Sequence, residues 1–175
     1  RRACMEDVKT LNADIFRLFD NDWALLTAGT MSDHNAMTIS WGQLGSLWGM
    51  PGRARNIATV FVKPVRHTFS FMERHDIFTI CWFPREFRKD LGILGSKSGR
   101  DGDKLALTRL TPRPAGEGVS YEQAALTLIC KKIYSEQLKK ERIPAEAVAT
   151  FYSGDDGVEP HYMYIGEVTG MERRG

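Results

Sequence analysis

Runs of strand-forming residues set the strongest limit on this fold, because they recur along the chain with no long helical pattern between them. WALLTAG (23–29) closes at Gly29. AMTISW (36–41) alternates, with Met37, Ile39 and Trp41 on one face and Thr38 and Ser40 on the other. IATVFVK (57–63) is β-branched and stops at Pro64. IFTICWF (77–83) is almost continuously apolar, as in a strand covered on both faces, and stops at Pro84. AALTLICKKIYSEQL (124–138) and HYMYIGEVTGM (161–171) are two longer candidates. The helical signals are short. One covers 65–74, opened by Pro64, with Phe69 and Met72 on one face. Others follow Pro84 (85–91), begin near Ser98, and run from Pro144 to near Gly154. Many strands with few helices predict a mainly β protein, a closed or partly closed antiparallel barrel and not a βαβ sheet. No G-x-G-x-x-G follows a strand and no G-x-x-x-x-G-K-[ST] occurs, which argues against Rossmann and P-loop sites.

The chain of 175 residues suits one domain, 1–175, with a real core. No repeat, low-complexity tract or long linker divides it. A net charge of +2 is too small to make nucleic acid the main partner. Cys4, Cys81 and Cys130 are odd in number and form no C-x-x-C pair, so a reducing interior is expected. Cys81 and Cys130 sit in apolar runs and read as small buried hydrophobes. No apolar run is long enough to span a membrane. The stretch RRACMEDVKT has no apolar segment after it and does not read as a signal peptide. A cytoplasmic protein is the expectation.

Few residues announce chemistry. His34, His67, His75 and His161 lack zinc-site spacing, and no G-x-S-x-G elbow is present. Asp155 and Asp156 read as solvated turn residues. Lys131, Lys132 and KKERIP read as a strand end and turn. The segment SKSGRDGDK (96–104) is more specific. S-G-R-D has capping-box spacing, with Ser98 as the cap and Asp101 reaching back to it. Capping does not require Lys97, Arg100 or Lys104, and cations at a helix N-terminus oppose its dipole unless an anion lies there. Asp101 and Asp103 would repel such an anion. VKPVRHTFSF (62–71) sets Lys63, Arg66, His67 and Thr68 around another helix start. Two basic helix starts converging on one anion, and a helix cap with no ligand, both remain open on these residues.

The order of segments DWALLTAG, NAMTISWGQLGSLWG, ATVFVKPVRHTFSFMERHDIFTICWF, SKSGRDGDK and HYMYIGEV resembles the flavin reductase-like family, in particular its flavoredoxin branch, over about 22–170. The resemblance implies a Greek-key antiparallel split β-barrel that dimerises and binds FMN non-covalently near the subunit interface. It implies that Met37, Thr38, Ile39, Ser40 and Trp41 line the isoalloxazine and ribityl chain. It further implies that Arg66 and Thr68, with Lys97, Ser98, Arg100 and Lys104, hold the phosphate. Lys63 and His67 depart from the family pattern, where an arginine and a tyrosine-like aromatic are expected. The loop PGRARN (51–56) looks longer and more basic than the pattern.

The activity implied is electron transfer from NAD(P)H through bound FMN to a flavin or other acceptor, with no side chain required as an acid or base. Two alternatives stand beside it. One is an electron carrier served by a partner protein without NAD(P)H. The other, more remote, is a small nucleic-acid-binding barrel. A pyridoxal-phosphate oxidase-like barrel would share the fold and FMN with another substrate.

Overall fold

The computed structural model describes residues 4–174; residues 1–3 and the Cys4 side chain, in the amino-terminal stretch read above, lie outside the described residues. Along the chain run β1 (Cys4–Glu6), α1 (Ile15–Arg17), β2 (Ala24–Thr30), β3 (Asp33–Ile39), β4 (Gly42–Leu47) and β5 (Arg55–Val62). Then come α2 (His67–Arg74), β6 (Ile77–Trp82), α3 (Arg88–Ser96), β7 (Pro112–Ala115), β8 (Gly118–Tyr121), β9 (Leu126–Gln137), α4 (Ala145–Phe151) and β10 (Tyr162–Arg173).

The main sheet has the order β3-β2-β6-β9-β10-β5-β4, all antiparallel, and β1 pairs with the far end of β10. Its two outermost strands, β3 and β4, are neighbours in the chain with only Ser40 and Trp41 between them. Three Cα steps from Ile39 to Gly42 reach roughly 11 Å at most. A seven-strand path whose opposite edges are tied that closely must curl until the edges meet. β3 and β4 do not pair with each other, so the barrel stays split along that seam. The fold is an antiparallel barrel of the class expected from the strand pattern, and it is split as the resemblance implies.

Inside the barrel lie Leu26, Ile39, Val60, Phe78, Ile80, Leu128 and Tyr164. A second core forms outside it, where Leu91 and Leu94 of α3 and Tyr121 of β8 cover Leu25, Ala36 and Cys81. β6 therefore meets apolar partners on both faces, which accounts for the unbroken run IFTICWF. Cys81 and Cys130 are free and buried, and burial pushes both thiols up. Lys132 is held by the carbonyls of Met72 and His75 at the end of α2, a structural role consistent with the bland reading of that basic segment.

The helices differ from expectation in three places. Pro64 does not open α2. Lys63–Arg66 forms a turn first, with the Arg66 N–H donating to the Lys63 carbonyl at 3.0 Å, and the helix starts at His67. The helix after Pro84 does not stop at 91; a tight turn, Arg85–Phe87, continues as α3 to Ser96. No helix grows from Ser98. Its hydroxyl accepts from the Arg100 N–H at 3.2 Å, one turn forms over Gly99–Asp101, and Gly102 at φ 134° ends it. That left-handed conformation is open to glycine at little cost. No helix among the described residues is long and apolar enough to cross a membrane.

Candidate functional site

Two clefts meet at the barrel seam. The first follows the β3–β4 corner, has a volume of about 230 Å³, and is lined by Met37, Thr38, Ile39, Ser40 and Trp41, by Phe61 of β5 and Lys63 just after it, and by Arg66, Phe151, Asp156 and His161. The second, about 160 Å³, lies between the start of α2 and the exit from α3. Arg66, Thr68, Lys97, Ser98, Arg100 and Lys104 line it, together with Asn35, His67 and Leu94. Met37 and Arg66 belong to both, so the clefts adjoin. All eleven residues singled out in the sequence lie on one wall or another of this pair.

The corner explains the first cleft. Trp41 leaves β3 where the chain crosses the seam, so no strand covers it, and it stays 40% exposed. Its ring packs against His161 at 4.9 Å and edge-on to Phe151 at 5.1 Å. The result is an apolar platform beside the β3 backbone. Thr38 does not present a free hydroxyl there; it donates to the Leu91 carbonyl at 2.6 Å and fastens β3 to α3. His161 accepts or donates at Nδ1 with the Tyr152 hydroxyl, 2.8 Å away. Burial, with Lys63 and Arg66 nearby, holds His161 down at about 4, so it is neutral at neutral pH.

In the second cleft the helix arrangement corrects the sequence argument. SKSGRDGDK does not open a helix; it leaves the C-terminus of α3. Lys104 Nζ donates to the carbonyls of Leu94 and Lys97 at 3.0 and 3.2 Å, where the helix dipole favours a cation. Among the described residues one α-helix start faces the cleft, that of α2. Its cap, Arg66, makes no side-chain capping bond; the Phe69 N–H donates to the Arg66 carbonyl at 3.0 Å, and the His67 and Thr68 N–H groups are left for another acceptor. Thr68 is buried and its Oγ1 accepts from Asn35 Nδ2 at 2.7 Å, so its own proton remains to be given. Arg100 reaches across to the Val65 carbonyl at 2.9 Å and ties the two walls together.

Positive charge is crowded here. Burial and Arg66 bring Lys104 down to about 8. Burial, then Arg100, Lys104 and Arg74, push His67 toward its neutral form, so it adds no charge at neutral pH. Burial is the larger cause for both Lys104 and His67, and the neighbouring cations add to it; a bound anion would offset that smaller, electrostatic part.

Two residues read differently from their sequence context. Lys63 is buried and turned away from the second cleft. Its Nζ donates to the carbonyls of Phe151, Asp156 and Gly157 at 2.7, 3.1 and 3.4 Å. Asp156 is no idle turn residue, since its carboxylate accepts from Arg66 at 2.8 Å and from Lys63 at 3.4 Å. Lys63 thus pegs the loop after α4 to the barrel and so builds one wall of the first cleft. Lys63→Ala is expected to cost about 1.5–3 kcal/mol, the usual range for hydrogen bonds to a charged group, because it removes those that a buried ammonium makes to three carbonyls. It should also speed proteolysis near 151–157; an unchanged cleavage rate there would contradict the peg. Among the described residues no group of histidine, cysteine and carboxylate side chains could hold a metal ion.

No family model matches the sequence, and no curated protein does. Solved structures do resemble the fold. An FMN-binding domain of a flavin reductase-like enzyme from Shewanella baltica OS155 superposes with a TM-score of 0.65 at 18% identity, covering 98% of this chain and 77% of that one. An FMN-binding protein from Thermus thermophilus with bound p-hydroxybenzaldehyde gives 0.64 at 14%, covering 97% and 81%. Flavoredoxin from Methanosarcina acetivorans gives 0.62 at 17%, covering 87% and 68%. What is shared at these identities is the fold.

Proposed function

We propose that this chain, which has the split-barrel fold of the flavin reductase-like FMN-binding proteins, is itself an FMN-binding oxidoreductase that passes electrons from NAD(P)H to a flavin or another acceptor. The observation that carries this reading is the meeting, at Arg66, of an apolar cleft along a strand with a cation-crowded cleft at an uncapped helix start. A flat, polar ring system needs the first. A phosphate tethered to it by a short chain needs the second. When bound, the isoalloxazine would supply the redox chemistry.

The roles of the residues follow from their places. Trp41 and the β3 backbone from Met37 to Ser40 would support and edge-bond the ring. The α2 N–H groups, the Thr68 and Ser98 hydroxyls, and Arg66, Arg100, Lys97 and Lys104 would hold the phosphate. Neutral His161, backed by Tyr152, would close the side of the ring cleft. No residue is assigned as acid or base, because hydride transfer itself requires none.

A homodimer belongs to this reading. A groove of about 860 Å³ runs along Phe16, Phe19, Leu44 and Phe61 and shares Trp41 with the ring cleft. Phe16 is 90% exposed, the kind of surface a second copy would cover. A cytoplasmic setting rests on the cysteine usage alone.

The test is spectroscopic. FMN added to the purified protein should bind, and anaerobic NADH or NADPH should then bleach its visible bands. Bands that resist both but yield to dithionite would give the carrier role, with electrons arriving from a partner protein. Failure to bind FMN at all would overturn the proposal.

A further inference from the structure

The loop between α4 and β10 brings an anion to the same seam as the cations. Asp156 lines the ring cleft beside Trp41, Phe151 and His161. Its carboxylate lies on Arg66, the cation that borders both clefts. A single oxygen, Oδ2, accepts from Arg66 at 2.8 Å and from Lys63 at 3.4 Å. The three charges act over the same short range. Lys63 and Arg66 both push His161 toward its neutral form, and Asp156 pulls it the other way.

The carboxylate is held there by the backbone behind it. Lys63 Nζ is buried and donates to the carbonyls of Phe151, Asp156 and Gly157, which fixes the loop on both sides of Asp156. Gly157, at φ 90°, supplies the left-handed turn that follows. Asp156 is therefore tethered within reach of Arg66. A free anion loses translational and rotational freedom when it binds the same guanidinium; a tethered carboxylate has little of either left to lose. An uncharged ring in the ring cleft is nearly indifferent to Asp156. A phosphate is not, because it must take Arg66 from the carboxylate or share it, and the two like charges repel.

We propose that Asp156 is a built-in counter-anion that competes with the phosphate of FMN for Arg66, so that FMN is an exchanging ligand and not a permanently held prosthetic group. The inference rests on the flavin reading above. It makes Asp156 a residue that sets how strongly the site prefers a phosphorylated flavin to an uncharged one.

Fluorescence titration and stopped-flow dissociation of FMN and of riboflavin test it, on the full chain and on Asp156→Asn. Asparagine keeps the size of the side chain and removes its charge. The ion pair is exposed on both sides, so its loss should leave the fold intact. FMN is expected to bind the variant about threefold or more tightly, mainly through slower dissociation, a gain within the range an exposed charge pair is worth. Riboflavin should stay within about twofold, since it has no phosphate to repel. Asp156→Glu keeps the charge and should hold FMN near its wild-type affinity. FMN affinity that is unchanged or weaker in Asp156→Asn would overturn the inference and leave the FMN reading standing. So would an equal gain for both flavins, or a gain reproduced by Asp156→Glu. Binding of neither flavin to any of the three proteins would remove the flavin reading itself. Asp156→Ser, also uncharged, carries the same expectations and decides the matter if the asparagine variant does not fold.

Discussion

Replacing Arg66 by alanine is expected to weaken FMN by about 10- to 100-fold while leaving riboflavin within about threefold. Arg66 borders both the ring cleft and the cationic cleft, and it caps α2 with its backbone in an extended conformation. A guanidinium hydrogen-bonded to a phosphate is worth roughly 1.5–3 kcal/mol, which is the range of that loss. Riboflavin has no phosphate and should not register the change. The Arg66 side chain is exposed and, among the described residues, bonds to Asp156 alone, while its backbone bonds are kept in alanine, so the substitution should not unfold the chain. The carboxylate of Asp156 already sits on the guanidinium at 2.8 Å and must share it with any incoming anion. Equal losses for FMN and riboflavin would remove the phosphate from this cleft. The same titration has a pH signature. Lys104 is brought to about 8 by burial and by Arg66, so it is charged below that value and neutral above it. FMN affinity should therefore fall as pH rises through about 8, with riboflavin unaffected.

Phe78→Ala should be the costliest single truncation, at about 3–5 kcal/mol. Phe78 is only 1% exposed and lies within the barrel core. On β6 it pairs with Cys130 of β9, and its ring reaches over the next strand to Gly166 of β10. A Cβ at Gly166 would lie 2.5 Å from the Phe78 ring and 2.8 Å from the Cys130 Cβ. The ring and the missing side chain are thus one packing unit. For a chain of this length each kcal/mol shifts the melting temperature by about 2–4 °C, so a drop on the order of 10 °C is expected. Gly166→Ala alone should destabilise by overpacking, about 1–3 kcal/mol. In the Phe78→Ala background much of that penalty should vanish, because the added methyl enters the space the ring has left. A double-mutant cycle by thermal denaturation measures this, and strict additivity would show that the two positions do not share their space.

The cores of β2, β3, β5, β6, β9 and β10 were legible because a strand writes its environment into its own residues. Alternation marks one buried face, and IFTICWF marks two. β4, β7 and β8 were missed for the converse reason. GQLGSL and GVSY carry glycine or few large side chains, and PRPA carries two prolines tolerated only because β7 pairs on one side. The resemblance of ordered segments brought eleven residues forward, and they line two adjoining clefts. The physical argument from SKSGRDGDK alone pointed the wrong way, because a cation beside a helix has opposite meanings at its two ends, and the end was misjudged.

The sequence by itself determined the strand pattern, the antiparallel class and the segments that carry cations and hydroxyls, since all of these follow from local periodicity and residue type. Only the tertiary structure decided that Lys63 turns inward, that Asp156 reaches Arg66 and that His161 lies against Trp41. Those contacts join positions about ninety or more residues apart. They exist because two residues, Ser40 and Trp41, tie the outer edges of one sheet together and force it to close, bringing the end of β3, the start of α2 and the loop before β10 to the same seam.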